Sequence, residues 1–165
     1  MKLEIKNLKT MQGHDCLAFS LTLYIDGKRS MTVRNDGNGG CHFYELGNPD
    51  YNKLKKMADA LPMVVTDIKN SDGTFFEYQP DVDHIIDRLI DKTLASKKLK
   101  RLMKKKTVVI EDSEVSSWSG LPDGKWMEKG KLMELRDIIA SRYPNATILN
   151  ELAFDDAVEL CVGKI

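Results

Sequence analysis

Residues 16 to 25, Cys16-Leu17-Ala18-Phe19-Ser20-Leu21-Thr22-Leu23-Tyr24-Ile25, alternate with period two. That is the period a pleated strand with one buried face imposes. Leu17, Phe19, Leu21, Leu23 and Ile25 point one way, and Cys16, Ala18, Ser20, Thr22 and Tyr24 the other. Asp26-Gly27 follows, a pair that accepts positive φ at both central positions of a two-residue hairpin turn, and Met31 and Val33 continue the returning strand. Leu3 and Ile5 fit a lysine-rich edge strand, and Cys41 to Leu46 reads as a further strand beyond the loop Asn35-Asp36-Gly37-Asn38-Gly39-Gly40. This opening commits the chain to an antiparallel meander.

Helical signals come next. Asn48-Pro49-Asp50 starts a helix over 49–61, because Asn caps free amides and Pro suits the first helical position. Residues 64–68 and 74–78 predict a second hairpin through Asn70-Ser71-Asp72-Gly73. The longest helix is expected over 81–106, with room for a break at Ala95-Ser96. Strands at 107–110 and 115–118, a helix over 127–143 built on Leu132, Leu135, Ile138 and Ile139, a strand at 146–149 and a short closing helix complete the reading. A right-handed crossover is expected to place the strands at 107–110 and 146–149 in one sheet. The predicted class is α+β: an N-terminal antiparallel β-meander with one helix over 1–79, and a helix-rich lobe with a short mixed sheet over 80–165, the two sharing one core.

Composition narrows the surroundings. Hydrophobic residues at 42% and charged residues at 30% are globular values. The 25 basic and 25 acidic side chains cancel, so any hold on nucleic acid or an anionic membrane must come from a local patch. No apolar run approaches the ~20 residues of a bilayer span. Met1-Lys2-Leu3-Glu4-Ile5-Lys6 lacks a signal-peptide core, and three cysteines make no disulfide framework. The expectation is a cytoplasmic chain with no membrane partner and no cofactor.

Four features carry chemistry. Lys97, Lys98, Lys100, Arg101, Lys104, Lys105 and Lys106 put seven positive charges into ten residues, either a phosphate-binding patch or a solvated helix end balanced by Asp81, Asp83, Asp87 and Asp91. His14, Cys16, Cys41 and His42 fall at one end of the predicted hairpin and offer a tetrahedral zinc set, set against a buried thiol and exposed imidazoles at strand ends. Adjacent residues Cys41 and His42 would face opposite ways on a strand. Trp118 and Trp126 flank a turn-rich connection and serve either as partner anchors or as lids over the neighbouring sheet. With three histidines, His14, His42 and His84, and no nucleophile elbow, no catalytic residue is assigned; an enzyme would need a site assembled from distant residues.

Tyr24-Ile25-Asp26-Gly27-Lys28 with Asn35-Asp36-Gly37-Asn38-Gly39-Gly40-Cys41-His42-Phe43-Tyr44, and Ile148-Leu149-Asn150-Glu151-Leu152 with Phe154-Asp155-Asp156-Ala157, resemble a family of small bacteriophage- and prophage-encoded accessory proteins. The resemblance implies a protein that binds a bacterial host protein or complex, including defence systems. The contact residues expected on this reading are Asp36, Asn38, His42, Trp118 and Trp126. Nucleic-acid binding through residues 97–106 is the alternative.

Overall fold

The computed structural model describes the backbone of residues 1–120, 125–128 and 131–164, and the side chains of 1–120 and 134–164. It is α+β, and it divides into two compact units, Met1–Ile90 and Asp91–Ile165. The compact units divide within a long helix, ten residues past the boundary expected near residues 79 and 80.

The first unit opens with β1 (Leu3–Gln12), β2 (Leu17–Ile25), β3 (Lys28–Asn35) and β4 (Phe43–Tyr44), an antiparallel sheet in the order β1-β2-β3-β4. Asp26 and Gly27 both take positive φ, 48° and 80°, and Ile25 pairs with Lys28 across them. The turn is pinned to the chain start: Lys2 N donates to Asp26 Oδ1 at 2.7 Å and Asp26 N to Lys2 O at 2.9 Å. Phe19, Leu21, Leu23 and Ile25 are buried as the alternation predicts, together with Met31 and Val33. Leu17 departs from it at 38% exposure, because it closes the β1–β2 ladder opposite Gln12, past the end of the buried face. The strand expected over 41–46 shrinks to two residues.

Helix α1 (Pro49–Asp59) begins where Asn48 Oδ1 accepts the Asp50 amide at 2.9 Å, and it buries Leu54 and Ala58. The hairpin β5 (Val64–Lys69) and β6 (Phe75–Tyr78) follows. Its base is fastened: Gln79 Nε2 donates to the carbonyls of Ala58 and Leu61 at 2.9 and 3.1 Å. Helix α2 (Val82–Met103) starts at Asp81, whose carboxylate accepts the His84 amide at 2.9 Å, and it runs unbroken through Ala95-Ser96. Val82, Ile85, Ile86 and Ile90 are its buried face in this unit.

In the second unit β7 (Thr107–Glu111) is central, flanked by β8 (Glu114–Trp118) and β11 (Thr147–Ile148). Alternate residues of β7 serve two faces, which is why the run is uniformly apolar. Val108 and Ile110 pack with Ala95, Leu99, Leu149 and the closing helix α4 (Phe154–Cys161), while Val109 packs with Leu135 and Ile139 of α3 (Leu135–Arg142). The Asn150 side chain extends the pairing of β7, accepting from Val108 N at 2.7 Å and donating to Lys106 O at 3.1 Å.

Two expectations are corrected here. The helix read over 127–143 is a hairpin, β9 (Lys125–Glu128) with β10 (Lys131–Glu134), followed by the short α3. β11 pairs with β7 antiparallel, so the strands share a sheet without a parallel crossover. Among the described residues no helix is long and apolar enough to cross a membrane.

Candidate functional site

The glycine-rich loop after β3 is held by one side chain. Asn35 is 5% exposed, and both ends of its amide are used: Oδ1 accepts Gly37 N at 2.7 Å and the Cys16 thiol at 3.6 Å, while Nδ2 donates to Gly40 O at 2.9 Å and to His42 Nδ1 at 3.0 Å. The loop also abuts the turn before β2, where Asp15 N and Cys16 N donate to Gly37 O at 2.9 and 3.2 Å. Gly13 and Gly37 meet there nearly backbone to backbone.

His42 ties the loop to α2. Its ring is 8% exposed and packs edge-on against Phe19 with centroids 4.8 Å apart. With Asn35 donating to Nδ1, the proton of the neutral ring sits on Nε2, which donates to Asp87 Oδ1 at 3.0 Å. Asp83 accepts the His42 amide at 2.9 Å and the Tyr44 hydroxyl at 2.6 Å. Burial lowers the His42 pKa, but the Asp87 hydrogen bond and the charges of Asp83, Asp87 and Asp81 more than offset it, so the pKa is raised. Asn35 restrains the rise, because its donor needs a bare Nδ1. Burial and the Asp83 bond push the Tyr44 hydroxyl far above the ordinary tyrosine range, so it stays a neutral donor.

A raised folded pKa means that the histidine's contribution to stability is complete below the unfolded value of about 6.5 and is lost as pH climbs through the folded value. The wild-type chain is therefore expected to lose stability relative to His42→Gln as pH rises from about 6 to about 8, in urea midpoints taken across that window. An unchanging difference between the two proteins would remove the carboxylates as the cause.

Beside this latch lies an open groove of about 850 Å³, lined among others by Arg34, Phe43, Tyr44, Leu46 and Tyr51. Two of its titratable groups are committed: Glu45 accepts Thr32 N at 2.9 Å, which holds its carboxyl below the usual range, and His42 is engaged at both nitrogens. No nucleophile paired with a base lines it among the described residues.

The other sequence candidates scatter. His14 pairs with Asp15 in solvent, Cys16 points at Asn35, Cys41 is exposed and His42 turns to Asp87, so the zinc set does not converge; among the described residues no metal-holding group forms. Of the expected partner contacts, His42 has its ring inside the latch, whereas Asp36 and Asn38 are exposed. Trp118 is half-buried against Val109, Leu135 and Ile139, with Tyr143 edge-on at 5.7 Å, a lid on the sheet and not a free anchor. The Trp126 side chain lies outside the described residues. The bases of 97–105 stand in solvent on the second half of α2 and just beyond it.

One surface escaped sequence reasoning. Met63, Val65, Ile68, Phe75 and Phe76, on or beside the β5–β6 hairpin, are 46% to 64% exposed. Asp67, Asp72 and Glu77 against Lys69 make the same hairpin acidic. Strand alternation reveals two faces but not whether either is covered; the only signal was Phe75-Phe76, adjacent aromatics that must point to opposite faces of one strand. Comparison with protein-family models, with curated proteins and with solved structures found no match.

Proposed function

We propose that this chain is a non-enzymatic accessory protein, of the phage type its motifs resemble, that binds and modulates or inhibits a bacterial host protein or complex. The hairpin β5–β6 is its contact surface. The observation that carries this reading is the run of five large apolar side chains at 46% to 64% exposure on and beside one hairpin. A large apolar side chain gains roughly 1.5 to 3 kcal/mol when it leaves water, so five of them exposed on the two faces and the base of one hairpin favour its being covered by a partner. The hairpin is presented firmly at its base, where Gln79 grips the end of α1 and Tyr78 Oη lies 3.2 Å from His84 Nδ1. Its acidic side chains suit a partner whose apolar patch is rimmed by lysine or arginine.

A photo-crosslinking residue at position 68, expressed in bacteria, identifies the partner, which is then purified. Phe75→Ser with Phe76→Ser is expected to weaken that complex by at least about 30-fold, the scale of a lost hot spot. Unchanged affinity, or self-association of the wild-type chain that the same double variant abolishes, overturns the assignment.

A further inference from the structure

We infer that the second half of α2 is a contact surface for the phosphate backbone of double-stranded nucleic acid, independent of base sequence. Lys97, Lys100 and Arg101 recur at three- and four-residue intervals, which puts them on one face of a helix with 3.6 residues per turn, and Lys104 follows directly after the helix end at Met103. All four are exposed, and the opposite face carries Ala95 and Leu99, buried at 1% and 0%. The stripe is therefore held outward by the core of its own unit.

Three observations favour a ligand over a merely solvated helix end. In a chain with 25 bases and 25 acids, none of Lys97, Lys98, Lys100, Arg101, Lys104 and Lys105 forms an ion pair among the described residues, although Lys92, earlier on the same helix, does so with Glu159. The helix dipole favours cations only within about the last turn. Lys97 and Lys98 stand more than one turn before the end at Met103, where the dipole does not account for them. From Lys97 to the helix end at Met103 the axis advances about 9 Å, against a duplex that carries one charge per ~1.7 Å. Residues 91–106 contain no aromatic side chain to stack an unpaired base, which selects duplex over single strand and backbone over base readout.

The test is fluorescence anisotropy of a mixed-sequence duplex of about 20 base pairs, titrated with the full chain between about 50 and 200 mM salt. Binding is expected, with affinity falling steeply as salt rises. Changing Lys97, Lys100, Arg101 and Lys104 to glutamine should weaken it about 100-fold at low salt and reduce the salt slope by about three to four. The control Lys9→Gln, Lys28→Gln, Lys55→Gln, Lys56→Gln alters net charge equally and should leave binding within about twofold. These side chains are exposed in both sets, so circular dichroism and melting should be unaltered. No binding at about 50 mM salt, equal loss in the control set, or tighter binding to single-stranded DNA or to phosphatidylserine vesicles overturns the proposal.

Discussion

Replacing Gly13 with alanine is expected to destabilise the first unit by about 3 kcal/mol. A Cβ built there would lie 2.5 Å from both the Cys16 carbonyl oxygen and Gly37 Cα, and 2.6 Å from Gly37 O. All three are backbone atoms, so no rotamer change relieves the contact. The turn before β2 and the loop after β3 must move apart, and the bonds from Asp15 N and Cys16 N to Gly37 O go with them. Gly27→Ala supplies the comparison. Gly27 has φ +80° but nothing within 4 Å of its added Cβ, so it should cost only about 1 to 2 kcal/mol of left-handed backbone strain. Urea midpoints rank the two variants, and hydrogen exchange at Asp15 and Cys16 localises the effect. A Gly13→Ala protein no less stable than Gly27→Ala, with both amides still protected, would disprove the close approach.

What could be read in advance follows from the range over which each force acts. The β2–β3 hairpin was legible because period-two alternation and Asp26-Gly27 are both local, and the start of α1 because Asn48 and Pro49 act within one turn. The stretch 127–143 was misread because Leu132, Leu135, Ile138 and Ile139 satisfy a helical stripe, while the run before Leu135 is too short for periodicity to separate helix from strand. Gly130 was the signal against a continuous helix. The latch was only half visible. His42 stood out as a ligand-type residue, but its partners Asp83 and Asp87 lie some forty positions away, and nothing local links them. Asn35 looked like the first residue of a loop and proved to be the buried polar side chain around which the loop is built. Exposure was least legible of all, since Val65 and Leu23 sit in similar alternating strands and one is 58% exposed while the other is wholly buried.

Asn35 is where the latch and the loop can be separated by experiment. Asn35→Ala leaves the buried Gly37 amide, the Gly40 carbonyl and His42 Nδ1 without their partner at once. At roughly 1 to 3 kcal/mol for each buried group left unpaired, partly regained through water, a loss of about 3 kcal/mol is expected. Asn35→Asp keeps the shape and tells more. A carboxylate still accepts Gly37 N, but it cannot donate to Gly40 O, and it faces His42 Nδ1 with an acceptor where a donor stood. The mismatch is relieved only when Nδ1 carries a proton, so this variant should drive the His42 pKa further upward than in the wild type. By linkage, its stability should be greatest below the unfolded histidine value of about 6.5 and fall as pH rises through the folded one, and it should fall further than that of Asn35→Ala, which keeps the pull of Asp83 and Asp87 on His42 but places no new carboxylate beside Nδ1. The two variants should therefore converge at alkaline pH and part at mildly acidic pH, in paired urea titrations with histidine shifts followed by NMR. Parallel stability curves for the two would show that Nδ1 is not held by Asn35, and the neutral-ring assignment on which the latch depends would fail.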